Sequence, residues 1–358
     1  SDLAGTALSQ DAIRIIARDR RDRGLAYAFL LSDAGQFLVR RNKSGSVVEH
    51  IYEADVSTLP IPLLPKALRR ELTRLVSEAC DLRAKANGAL REAEEALWRQ
   101  NYLDPKDVAF EAPGELETGS FSSAALVTEY EGGPRIRLEA TFQAGNASKA
   151  ERLVQATREW KRLREVVAAV PYTGPGSMPD VPKVGEANGI PTVTGRDLGL
   201  ARPKPSYHLT RTNQRVLDKM IPVSGTTLVM CAGTLGKTEY VRGNYEHWAV
   251  SLDVIRVIPD AAKLHPGYVH AFLTCPLGQA QMLRHKYGSV IPRIHSRQVA
   301  EVCVPIPQDK GESIGAQVDE AYDMRAAAVS LENQAISLFT SAIERGRAYI
   351  ESEWGSEY

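Results

Sequence analysis

The stretch with the clearest chemical promise is 231-CAGTLGKTEY-240, which ends a glycine-bearing run in Gly236-Lys237-Thr238. A phosphate-cradling P-loop ends this way, because backbone N–H groups wrap the phosphates while the lysine neutralises them. That loop needs a glycine five residues before Gly236, and the residue there is Cys231. Gly233 leaves a turn too short to wrap a triphosphate. The run Tyr240-Val241-Arg242-Gly243 at its end lacks the apolar helical period that would aim a helix dipole at an anion. The stretch reads as a turn with another purpose, and no nucleotide is expected on it.

Other reactive constellations are equally incomplete. A Mg²⁺ nuclease of the Pro-Asp…Glu-x-Lys type finds Pro179-Asp180 and Glu186, but Asn188 stands where the lysine belongs. The adenine methyltransferase signature, Asn/Asp-Pro-Pro-aromatic with a glycine-rich cofactor turn, is absent. His247, His265, His270, His285 and His295 do not fall at metal-ligand spacings, and Cys80, Cys231, Cys275 and Cys303 form no Cys-x-x-Cys pair. The expectation is a chain without metal, cofactor or catalytic activity, its thiols reduced in a cytoplasm. No apolar run reaches the length of a membrane span.

The elements that would position any working residue are more informative. The chain has 358 residues and a formal net charge of zero, which at face value argues against a polyanion partner. The zero hides an asymmetry: residues 191–300 hold 14 Lys and Arg against 6 Asp and Glu, whereas residues 308–358 hold 4 against 10. A basic segment beside an acidic one suits a protein with one face toward a polyanion. The runs 226-TTLVM-230, 254-VIRVI-258 and 302-VCVPIP-307 read as strands. Residues 266–287 read as two helices, with Pro276 and Gly278 marking the break. The segments 112-APGELETGS-120 and 131-EGGPRIR-137 read as loops around short strands.

Two long helices stand out. In 66–100, Leu68, Leu72, Leu75, Ala79, Leu82, Ala86, Ala89 and Ala93 fall at alternating spacings of four and three, an a/d seam. The second seam runs through Ile314, Val318, Ala321, Met324, Ala328, Leu331, Ala335, Leu338 and Ala342. The simplest use of two such helices in one chain is an antiparallel pair. Its interhelix residues are expected to be Leu68, Leu72, Leu75, Leu82, Val318, Met324, Leu331 and Leu338.

The chain also repeats itself. Residues 9–62 align with residues 251–305 at an offset of 242 to 243. Ile13-Arg14-Ile15 matches Ile255-Arg256-Val257, Ala28-Phe29-Leu30 matches Ala271-Phe272-Leu273, and Gly45-Ser46-Val47 matches Gly288-Ser289-Val290. The match continues into the helices, where Glu78-Ala79 and Arg83-Ala84 match Glu320-Ala321 and Arg325-Ala326. The unit is a module followed by a long helix, used twice. About 150 residues separate the first helix from Ser251, against eight before Ser9, so the first copy reads as incomplete at its start.

This order resembles the DNA specificity (S) subunit of type I restriction–modification systems. The residues that carry the resemblance are Phe29-Leu30…Gly35 and Phe272-Leu273…Gly278, then Gly45-Ser46-Val47 and Gly288-Ser289-Val290-Ile291-Pro292. Leu59-Pro60-Ile61-Pro62 and Val302-Cys303-Val304-Pro305-Ile306-Pro307 come next, with 159-EWKRLREVV-167, 187-ANGIPTVTGRDL-198 and 228-LVMCAGTLGKTEYV-241 upstream. It implies an α+β chain of tandem mixed α/β target recognition domains joined by long helices that pair as an antiparallel coiled coil. The expected boundaries are 1–62 for the C-terminal part of the first domain and 63–101 for the connecting helix. The second domain would span 102–307, led by 102–158, and the second helix 308–350. The resemblance further implies a non-catalytic reader of double-stranded DNA that recruits methyltransferase subunits and, through them, a restriction and translocase subunit. The alternative is a coiled-coil scaffold, or an S-like regulatory protein, that binds protein partners without reading DNA.

Readers of DNA use phosphate contacts for position and base-edge contacts for sequence. The polar, basic and aromatic loop residues expected to do so in the second module are Tyr172, Lys183, Thr194, Arg196, Lys204, Tyr207, Arg211, Lys237, Tyr240, Arg242, Tyr287, Ser289, Arg293 and His295. In the first module the counterparts are Arg40, Arg41, Lys43, Ser46 and His50. Gly233, Gly236 and Gly288 are expected to serve backbone geometry.

Overall fold

The computed structural model describes residues 12–41, 50–101, 103, 127–130, 133–136, 145–171, 183–185, 188–211, 214–251, 254–288 and 290–357. The chain divides into two compact units, one of Ser1–Ala86 with Met324–Tyr358 and the other of Asn87–Asp323. Neither unit coincides with an expected sequence domain, because each takes one half of each long helix.

Those helices span Lys66–Gln100 and Glu312–Trp354, and the second is broken at Gly346, whose φ of 74° is left-handed. In the first unit they pair antiparallel. Leu68, Leu72, Leu75 and Val76 share a core with Ala335, Phe339, Ala342 and Ile350, and Leu331 and Leu338 pack against it. Lys66 reaches Glu357 at one end, and Arg83 reaches Glu332 further along. In the second unit the direction is the same: Glu92 accepts from Gln317 and Asp309 from Gln100. Ala93, Leu97 and Trp98 there join Ile314, Val318 and Tyr322 in one core. Leu82 and Met324, expected in the seam, are half-buried. Each fully buried leucine of this seam contributes about 1.5–3 kcal/mol. The alanines at Ala79, Ala86, Ala328 and Ala335 are fully buried and allow close helix approach.

In the second unit a four-stranded antiparallel sheet runs in the order Val167–Ala169, Val254–Pro259, Thr227–Met230 and Thr238–Tyr240. Its two inner strands are covered on both faces. Ile255, Val257 and Val229 face the helix-bearing core, while Val254 and Leu228 face a second core with Val193, Leu198 and Tyr245. Burial on both sides explains why these strands read as unbroken apolar runs. The second sheet has the order Ala249–Val250, Ile190–Val193, Tyr207–Leu209 and Lys183–Val184. Cys303–Pro305 pairs with Trp160–Arg162, and Val127–Tyr130 with Gly133–Ile136. The latter strand lies where the sequence suggests a loop; residues 112–120 lie outside the described residues.

The repeat is real in three dimensions. In the second unit Pro266–Thr274 and Pro276–Arg284 form two helices that break at Cys275. In the first unit Arg23–Leu31 and Asp33–Arg41 break at Ser32. Gly278 sits inside the second helix of its pair, contrary to its expected role in the break. It is there because a Cβ would lie 2.2 Å from the Phe272 carbonyl oxygen, and Gly35 faces Phe29 in the same way at 1.8 Å. Gln279 donates to the Leu273 carbonyl at 2.7 Å and Gln36 to that of Leu30 at 2.6 Å. Each module meets a long helix at a glycine: a Cβ on Gly24 would lie 2.3 Å from Thr73 N, and one on Gly267 2.5 Å from Gly315 O. His295 and Tyr52 begin matching one-turn helices, Ser296–Val299 and Glu53–Ser57.

Candidate nucleic-acid interface

The Gly233–Lys237 turn connects two antiparallel strands, Thr227–Met230 and Thr238–Tyr240. Gly233 and Gly236 hold φ of 74° and 76°, a conformation that glycine reaches without Cβ strain. Gln279 donates to the Gly236 carbonyl at 2.8 Å and fills the space a Cβ would need. A strand comes after the lysine, so no helix N-terminus stands behind it.

Three loops converge on this turn. Gly233 N donates to the Pro292 carbonyl at 3.2 Å and Ile294 N to that of Cys231 at 3.0 Å. Tyr287 and Arg293 exchange backbone hydrogen bonds across the same loop at 2.9 and 2.8 Å. Met230 lies under both Gly233 and Gly195, and the Lys237 stem lies against Gly199. The loops that carry Arg196, Lys237, Tyr287 and Arg293 thereby meet, with Thr194 at the edge.

Asp197 organises that edge. Burial pushes its carboxyl up, but hydrogen bonds from Ser206 and Thr194 outweigh this and hold it below the ordinary carboxylate value. Thr194 donates through its hydroxyl at 2.6 Å and its amide at 3.0 Å. The Thr194 hydroxyl is thus committed to the protein. Lys204 and Arg211 are exposed on either side of Tyr207–Leu209, and Tyr207 is half-buried.

Three further expected contact residues have other work. Tyr240 is 1% exposed, and its hydroxyl donates to Asp319 at 2.8 Å. Burial and Asp319 raise its hydroxyl pKa well above the usual phenol value. Arg242 grips Asp323 through Nε and Nη2 at 2.7 and 2.8 Å and Asp319 at 2.6 Å. These side chains fasten the module to the second long helix, so neither offers an edge to a base. His295 caps Ser296–Val299 by accepting from Arg297 N at 3.2 Å, and burial, aided by Arg297, lowers its pKa. Tyr172, Ser289, Lys43 and Ser46 lie outside the described residues, as does the Lys183 side chain. Arg40 and Arg41 are exposed at the end of their helix, and His50 is exposed.

The structure adds Val290, 90% exposed, Ile291 and Lys286, all beside Tyr287. The available signal was large apolar residues in a loop bounded by Gly288 and Pro292. Among the described residues no cluster of His, Cys, Asp and Glu could hold a metal ion, and no helix is long and apolar enough to cross a membrane. Burial pushes the Cys275 and Cys303 thiols up to about 12, so neither is a ready nucleophile.

No family model matches the chain, and no curated protein does. Among solved structures, the HsdS subunit from Thermoanaerobacter tengcongensis shares 15% identity at a TM-score of 0.33, with 89% of this chain and 69% of that chain covered. The S subunit of the type I restriction-modification system from M. genitalium shares 12% identity at 0.34, covering 90% and 73%. A structure titled for complex assembly and conformational transition of the type I R-M system shares 16% identity at 0.34, covering 96% and 74%.

Proposed function

We propose that this chain is a non-catalytic subunit that reads double-stranded DNA for a type I-like restriction–modification assembly and positions its methyltransferase and restriction subunits. The observation that carries the reading is the twice-used module, fastened to paired helices at equivalent glycines, whose second copy brings together the loops that carry Arg196, Lys237, Tyr287 and Arg293. Basic side chains on such loops supply phosphate contacts, while Tyr287, Val290 and Ile291 can pack against bases or thymine methyl groups. The paired helices offer protein partners the second surface that a recruiting subunit needs.

The test is selection of bound duplexes from a random pool, with and without the methyltransferase subunit. Enrichment of a short half-site, with affinity falling as salt rises, is the expected result. Failure to enrich any sequence, together with salt-insensitive binding to the protein partner, would instead support a scaffold that does not read DNA.

A further inference from the structure

A short ribbon stands off the second module beside the turn that bears Lys237. Tyr287 and Arg293 close its base by exchanging backbone hydrogen bonds at 2.9 and 2.8 Å, and Arg293 also bridges antiparallel to Ala232. Gly233 N donates to the Pro292 carbonyl at 3.2 Å and Ile294 N to that of Cys231 at 3.0 Å. Ile294 and Cys231 belong to the core of the module, so the base is anchored there. Gly288 turns the chain at a φ of 90°, and a Cβ on it would lie 2.8 Å from the Ile291 carbonyl oxygen.

The tip of this ribbon carries Val290 and Ile291, 90% and 54% exposed. Apolar residues scattered singly over a surface are ordinary. These two are adjacent, and the anchored base holds them away from the core of their own module. Cations flank them: Lys286 is exposed and Arg293 half-buried, and Lys237 lies on the neighbouring turn. The sequence of the first copy reads Gly45-Ser46-Val47-Val48 at the matching positions, with an aliphatic pair in the same place; those residues lie outside the described ones.

We infer that Val290 and Ile291 are specificity residues that read the C5-methyl groups of thymine in the major groove of duplex DNA, an inference that rests on the DNA-reading function proposed above. An apolar tip flanked by cations suits a partner that is anionic at its rim and hydrocarbon within. The excess of Lys and Arg over residues 191–300, 14 against 6 acids, fits the same partner. A duplex meets that description at thymine, whose methyl group lines the major groove. That groove is about 12 Å wide and admits a two-stranded ribbon, whereas the minor groove is about 6 Å wide. Val290, the more exposed of the pair, is short and stiff at χ1. It suits flat contact with a methyl group better than the wedging between base steps that longer side chains perform in the minor groove.

The test starts from the duplex that the full chain selects with the methyltransferase subunit present. Each thymine of the half-site, on either strand, is replaced in turn by deoxyuridine, which removes only the methyl group. At the position the tip contacts, the parent chain should lose about fourfold in affinity, the worth of one buried methyl. A chain carrying Val290→Ser and Ile291→Ser should bind the thymine duplex more weakly and be indifferent to deoxyuridine at that position. It should keep the parent's salt slope, because no charge changes, and its unfolding midpoint, because both side chains are exposed. A selected half-site without an A·T pair, deoxyuridine without effect, or an equal penalty in both chains would overturn the inference and leave the DNA reading standing. Failure to enrich any duplex would sink the DNA reading and the inference with it. A double variant that reads DNA like the parent but binds the methyltransferase subunit more weakly would make the tip a protein contact, which also overturns the inference.

Discussion

The guanidinium of Arg83 closes two-pronged on the carboxylate of Glu332, with Nη2 to Oε2 at 2.6 Å, and Glu332 is 0% exposed. The Tyr27 hydroxyl donates to the same carboxylate at 2.5 Å, so one buried charge ties the module to both long helices. Burial and Glu332 together raise the Tyr27 pKa far above its usual value. Removing one partner of such a pair leaves an uncompensated charge, at a cost of about 3–5 kcal/mol. Arg83→Ala should therefore lower the urea midpoint sharply, while Arg83→Met with Glu332→Leu should recover much of the loss. A double variant as unstable as the sum of its singles would refute this account.

Glycines in this chain should respond to alanine with opposite signs. Gly24→Ala and Gly267→Ala each push a Cβ into backbone at 2.3 and 2.5 Å, and overpacking of this kind costs about 1–3 kcal/mol. Gly88 lies inside the first long helix with nothing within 4 Å of its absent Cβ. Gly88→Ala should stabilise by about 0.5–1 kcal/mol through helix propensity and reduced freedom of the unfolded chain. Thermal unfolding of the three variants checks both signs at once.

On the proposed function, the loop residues divide into two groups. Arg196→Ala, Lys237→Ala and Arg293→Ala should weaken duplex binding and each reduce the salt slope by about 1. Arg242→Ala and Tyr240→Phe should leave that slope unchanged and lower the unfolding midpoint, because their partners are Asp319 and Asp323. A reduced slope for Arg242→Ala would place it on the DNA after all.

Asp309 governs a pH response at the start of the second long helix. Burial pushes its carboxyl up, but hydrogen bonds from Ser313, Gly311 and Gln100 outweigh that and hold it below the ordinary value. A depressed folded pKa contributes stability above the unfolded value of about 3.9, and that stability disappears as pH falls through the folded value. Asp309→Asn should therefore be less stable than the parent at neutral pH, and the gap should close as pH falls through the folded value. Equal gaps at both ends of the range, measured by urea unfolding, would contradict the assignment.

Much of the architecture was legible because it rests on period and repetition. Leu68, Leu72 and Leu75 announce a seam by spacing alone, since the helix carries residues three and four apart onto one face. The matched Ala28-Phe29-Leu30 and Ala271-Phe272-Leu273 announce the repeated module, and Gly35 and Gly278 stand where only glycine lets the two short helices approach. The failure of the P-loop was also local, a matter of which residue stands at Cys231. Roles that depend on what lies across space were not legible. Tyr240 and Arg242 have the types and loop setting of DNA contacts, yet Asp319 and Asp323, some 80 positions away in sequence, claim both. Glu332 looks like a surface glutamate until Arg83 and Tyr27 meet it inside the helix pair. Nor does any local pattern distinguish covered Val304 from open Ile61; only the strand laid against one of them decides, because burial is a property of neighbours and not of the residue.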